Sequence, residues 1–168
     1  MQPRTKLALA LGVVVLLLIG VRVFIALATP KEVDPRTRIE QMFAEGKRAF
    51  ENEDIDGMLQ FLADEFSWSG MDKQRLRYQL AQFFRNAQDP RAELGELQME
   101  IFAGRILVRT PIRITWRDSN TPNGNNSMDL GVVEFEFRKY PQRKWLIIRY
   151  DDWRLVRMET TQMGDIPL

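Results

Sequence analysis

"ILVRTPIRITWR", residues 106–117, decides how the chain is read. Ile106, Val108, Thr110, Ile112, Ile114 and Trp116 fall on every second position, and Arg109, Arg113 and Arg117 fall between them. A period of two puts the first set on one face of an extended strand and the arginines on the other. Pro111 cannot donate to a ladder, so the strand needs an edge or a bulge there. Cross-strand pairing with Glu134 and Glu136 accounts for the arginines; an acidic partner or lipid headgroups would be the functional reading.

The same period continues on both sides. Leu97, Met99 and Ile101 alternate, and Ala103-Gly104-Arg105 makes a tight turn into the quoted strand. DSNTPNGNNS, 118–127, is a loop with a turn at Asn123-Gly124 and a glycosylation triplet at Asn125-Asn126-Ser127. A further strand is predicted over Met128–Arg138, with Val133, Phe135 and Phe137 opposite Glu134, Glu136 and Arg138. Met128, Leu130 and Val132 run in the other phase, which predicts a bulge near Val132-Val133. Lys139–Arg143, containing Pro141, reads as a turn, and a last strand runs from Lys144 to about Met158.

Before residue 90 the period is helical. Asp34-Pro35 is a helix start, with Asp as cap and Pro in the first turn, and Ile39, Met42, Phe43, Ala49 and Phe50 carry a stripe to about Glu51. Asp54 caps a short helix over Ile55–Ala63. Glu65–Ser69 is a brief extended piece. Asp72 caps a third helix, Lys73–Ala87, with Leu76, Leu80, Phe83 and Phe84 on one face. Three helices followed by long strands and short turns is an α+β pattern: helices packed on a curved antiparallel sheet of about four to five strands.

The first 28 residues are different. After the basic MQPRTK come 22 residues, 7–28, with one charge, Arg22. As a helix they span ~33 Å at about 1.5 Å per residue, enough for a bilayer core of about 30 Å. Residues 1–28 are therefore expected to be a membrane anchor; Ala26-Leu27-Ala28 leaves a cleaved signal peptide as the other reading. Residues 29–34 are a linker, 35–158 the folded domain and 159–168 a tail. The order of charge, apolar run and small residues places the domain outside the cytoplasm, on a single-pass protein.

Composition excludes more than it asserts. The 168 residues contain 24 Lys+Arg and 23 Asp+Glu, a net charge of +1, so charge makes no case for nucleic acid. There is no Cys and no His, which removes disulfides, thiolate nucleophiles, His bases and the usual zinc ligands. Asn52-x-Asp54-x-Asp56-Gly57 opens like a calcium loop, but its twelfth position is Ala63, where a bidentate Glu is required; helix capping explains Asp54 better. No metal and no cofactor are expected.

Three stretches carry a resemblance: "FENEDIDGMLQFLADEFSW" at 50–68, "MDKQRLRYQLAQFF" at 71–84 and "KWLIIRYDDW" at 144–153. Over roughly 36–158 the chain resembles the nuclear transport factor 2-like (NTF2-like) superfamily, the cystatin-like cone shared with ketosteroid isomerase and the SnoaL-type cyclases. The resemblance implies a conical apolar interior. It also implies, in the enzymes, a pocket His or Asp with a Tyr or Asp partner. Here no His exists, and the first helix offers Phe43 and Phe50 inward rather than a tyrosine. NTF2-like domains on one N-terminal membrane helix also resemble components of secretion machines.

The expected function is thus a non-catalytic domain. It would bind a protein partner or a second copy through the sheet, or a hydrophobic ligand in the interior. Trp68, Tyr78, Trp116, Phe135, Phe137 and Tyr150 are the candidates to line a pocket; a filled core is the plainer reading of the same aromatics. The alternative is a small lyase or isomerase with Asp152, Tyr150 or Asp72 as acid and base. A buried carboxyl would have the raised pKa such a role needs. Asp151 and Asp152, being adjacent on a strand, point to opposite faces and make a poor carboxylate pair.

Overall fold

The computed structural model describes residues 33–118, 124–144 and 148–160, with side chains left undescribed at 142–144 and 148–150. The expected membrane segment, 7–28, most of the linker, Asn123 and residues 161–168 lie outside them. Among the described residues no helix is long and apolar enough to cross a membrane. The chain divides into two compact units, Met1–Glu32 with Pro141–Asp152, and Val33–Tyr140 with Trp153–Leu168. Of the first, the described part is the end of one strand and the start of another. The second holds the helices and most of the sheet.

Its helices begin where the sequence places caps. In α1 (Pro35–Glu51) Asp34 accepts from the Thr37 N–H at 3.1 Å; in α2 (Ile55–Leu59) Asp54 accepts from Gly57 at 2.9 Å; in α3 (Lys73–Asn86) Asp72 accepts from Arg75 at 2.8 Å. Each cap satisfies an N–H that the first turn leaves without a partner. The second helix is shorter than its apolar stripe predicts, because Leu62 and Ala63 enter a strand instead.

That strand, β1 (Leu62–Trp68), is followed by β2 (Ala87–Leu94), β3 (Gln98–Phe102), β4 (Arg105–Asp118), β5 (Asn125–Lys144) and β6 (Ile148–Thr160). They form one six-stranded sheet in the order β1-β6-β5-β4-β2, with β3 also on β4. The expectation of four to five antiparallel strands is corrected twice: the strands number six, and β1 pairs β6 in parallel. β1 gives no alternation to read, because its buried residues are Leu62, Ala63 and Phe66 and its register shifts between Leu62 and Ser67. β2 is disguised by Pro90. The chain absorbs that proline in a bulge between Gln88 and Arg91, with Asp89 at φ 49°.

β4 is extended from end to end, with Ile106, Val108, Thr110 and Ile112 buried. It is an interior strand. Pro111 sits where its neighbour changes from β3, which starts opposite Arg109, to β2, which ends opposite Ile112. The same proline passes so close to Gly95 that a Cβ there would lie 2.3 Å from its ring, so glycine is required. The β5 bulge falls slightly earlier than predicted. Ile112 faces Gly131 and Arg113 faces Asp129, which leaves Leu130 as the extra residue. Gly131 takes φ 64°, a conformation glycine adopts at no steric cost, and its N–H donates to Asp129 at 2.8 Å.

Residues 139–143 are strand rather than turn, because β5 continues to Lys144. Its pairing with β4 ends at Arg138, so Pro141 leaves no β4 acceptor without a donor. β6 likewise runs to Thr160, two residues into the expected tail. The core of the second unit joins Ile39 and Met42 of α1 to Phe66 of β1, Val108 of β4, Val133 of β5 and Trp153 of β6.

Candidate functional site

Helical spacing places Phe43, Gly46, Lys47 and Phe50 along one face of α1, and strand alternation turns Ile112, Phe135 and Phe137 toward it. Between these faces lies a cavity of about 270 Å³. Its wall also takes Met58 from α2, Phe61 and Leu62 before and in β1, Leu80 from α3, and Leu155 and Met158 from β6. All of these residues belong to the second unit. Among the described residues, the wall contains no carboxylate, no hydroxyl and one charge, that of Lys47.

Two features of the wall stand out. A Cβ built on Gly46 meets nothing within 4 Å, so the helix leaves open space at this residue. Glycine inside a helix costs roughly 0.5–1 kcal/mol relative to alanine. On the same wall, the indole N–H of Trp68 is buried without an acceptor, the sole such side-chain atom among the described residues. A buried donor left unpaired costs about 1–3 kcal/mol.

The aromatic candidates separate. Trp68, Phe135 and Phe137 line the cavity. Tyr78 does not: it is 60% exposed, and its hydroxyl accepts from Gln82 at 2.7 Å. It lies two residues from both Leu76 and Leu80, about 200° round the helix from each, on the face turned away from the core. There it borders an open depression with Met71 and Arg75. Trp116 does not line the cavity either. It faces inward near the far end of β4 and meets Phe83 edge-on at 5.3 Å, beside the rings of Phe50 and Phe84. The Tyr150 side chain lies outside the described residues.

Asp72 is exposed and occupied as the α3 cap. Asp151 is exposed and Asp152 half-buried, and both belong to the first unit. Asp54 is likewise occupied as a cap, and among the described residues no group of acids is arranged to hold a metal ion.

The outer face of the sheet carries the charge. Arg109 pairs with Glu134 at 2.7 Å and with Glu100 at 2.6 Å, Arg113 with Asp129 at 3.2 Å, and Arg117 with Asp89. Glu136 takes different partners from those expected: Arg138 at 2.8 Å and Arg157 at 3.1 Å. Its side chain is only 5% exposed. Burial pushes its carboxyl up, but the Arg138 hydrogen bond and the charges of Arg138, Arg157 and Arg105 outweigh this and hold it below the usual glutamate range.

Sequence reasoning missed Gly46, Lys47, Met58, Phe61, Leu130 and Met158 as wall residues. The signal for the first two was present: with Phe43 and Phe50 inward, positions 46 and 47 fall on the same face between them.

No protein-family model matches the chain, and no curated protein matches its sequence. Solved structures do match its fold. A nuclear transport factor 2-like superfamily protein from Salmonella enterica serovar Typhimurium superposes with a TM-score of 0.62 at 9% identity, covering 79% of this chain and 93% of that one. Two proteins of Novosphingobium aromaticivorans are also similar. One, described as a candidate aromatic ring hydroxylase, has a TM-score of 0.58 at 13% identity, over 77% of this chain and 90% of its own. The other, described as a candidate scytalone dehydratase, has a TM-score of 0.54 at 10% identity, over 76% and 84%. The chain therefore has the NTF2-like α+β fold. At these identities the likeness concerns the fold alone.

Proposed function

We propose that the domain binds a small apolar molecule in the cavity beneath α1 and does no acid–base chemistry on it. The observation that carries this reading is the wall itself: among the described residues it is apolar apart from Lys47, with no carboxylate and no hydroxyl. The competing reading is a lyase or isomerase, which the description of one similar structure, the candidate scytalone dehydratase, favours. It needs an acid inside the cavity, and the candidate Asp72 is engaged at a helix end. Residues 7–28 would tether the domain to a membrane, where apolar molecules concentrate; binding of a protein partner or a second copy through the sheet is compatible with this role.

The test is a titration with the uncharged fluorophore N-phenylnaphthylamine. Wild type and Gly46→Ala should bind it saturably at one site. Gly46→Phe, whose ring enters the open space, should fold and lose most of the binding. Equal binding by all three proteins, or no saturable binding by any, overturns the proposal.

A further inference from the structure

A single ammonium group stands on the otherwise apolar wall. Lys47 lies one turn beyond Phe43 on α1, with 41% of its side-chain surface still exposed. Its acidic neighbour, Glu51, approaches only to 3.9 Å, the outer limit of an ion pair, and exposed pairs of that kind contribute little. Among the described residues it has no closer anionic partner. A lysine so placed lays its apolar stem along the wall and keeps its charge at the water boundary. Beside it, Gly46 carries no side chain, and a Cβ there would meet nothing within 4 Å.

We infer that the cavity's ligand is an amphiphilic monoanion, an acyl or aryl body inside with one carboxylate at Lys47. The inference rests on the cavity reading proposed above and adds the chemical class to it. The volume sets the size of the body. About 270 Å³, at roughly 30 Å³ for a water-sized group, admits on the order of ten non-hydrogen atoms. The charge sets the head group. An ammonium offers three N–H donors to a carboxylate in charge-assisted bonds, gains less from a hydroxyl and repels a second ammonium. Nothing else charged on the described wall competes for the head, so the ligand has one orientation: carboxylate at Lys47, apolar end among the apolar wall residues.

The experiment is calorimetric titration of the full chain, at neutral pH, with three ligands of one shape: octanoate, octanol and octylammonium. Naphthoate, naphthylmethanol and naphthylmethylammonium form the aryl set. In at least one set the carboxylate should bind about ten-fold more tightly than the alcohol, and the ammonium most weakly. Lys47→Met should remove the preference for the carboxylate, weakening carboxylate binding by more than alcohol binding, and Lys47→Glu should reverse the order. Melting temperatures verify that both variants fold, as expected for a change on a solvent-facing rim. If alcohol and carboxylate bind equally in both sets, or Lys47→Met keeps the preference, the inference is overturned and the cavity reading stands. If no member of either set binds, both fall.

Discussion

The rings of Phe43 and Phe135 meet edge to face, with centroids 5.0 Å apart and planes at 84°. Phe137 lies 5.9 Å from the same Phe43 ring. These contacts join α1 to β5 across the cavity, so aromatic packing helps hold the helix bearing Gly46 and Lys47 to the sheet. Removing the ring should cost stability and widen the site together. Phe43→Ala is expected to lose about 2–3 kcal/mol in urea unfolding, below the range for a fully buried phenylalanine because the ring is half-buried. Its preferred ligands should shift toward larger ones in a displacement series.

Gly46 separates stability from binding. A methyl group there has open space around it and the backbone is already helical. Gly46→Ala should stabilise the protein by about 0.5–1 kcal/mol, read from the denaturation midpoint at an unchanged slope.

Asp72, a candidate acid, and Asp54, which belongs to the calcium-like stretch, are structural at their observed positions. Asp54 and Asp72 each hold a helix N-terminus. Asp54→Ala and Asp72→Ala should each lose about 1 kcal/mol of stability. Neither should change the affinity for an apolar probe, measured where both variants remain folded.

Glu136 makes the stability pH-dependent. Its carboxyl titrates lower in the folded protein than in the unfolded chain, so its contribution is fully present above the ordinary glutamate range. That contribution is lost as pH falls through the folded value. Glu136→Gln should cost roughly 1–3 kcal/mol at neutral pH, since Arg138 and Arg157 are about half exposed and regain water. The gap to wild type, followed by denaturation from pH 7 downward, should narrow through the acid range.

Much of this fold could be read from residue order, and the failures share one cause. The three caps, the α1 stripe and the alternation of β4 are local signals, each contained within one element. β2 was hidden because Pro90 and a bulge break its period; β1 was legible only as the extended piece at 65–69, because a parallel partner 90 or so residues away leaves no trace in its own spacing. Likewise Phe135 and Phe137 could be placed on an inward face, but whether that face was filled or hollow depends on how helices and sheet fit together. Trp116 and Trp68 show the difference: both face inward, and only Trp68 reaches the cavity.

Methionine methyl groups provide the most direct test that this cavity is the binding site. Met42, Met58 and Met158 line it, whereas Met71 borders the outer depression and Met99 and Met128 line neither. In a methyl-labelled NMR titration with naphthalene, the account predicts that the first three resonances shift together along one saturable curve while Met99 and Met128 stay in place. Shifts confined to Met71, or no shift at Met42, Met58 and Met158 at saturating naphthalene, would contradict it.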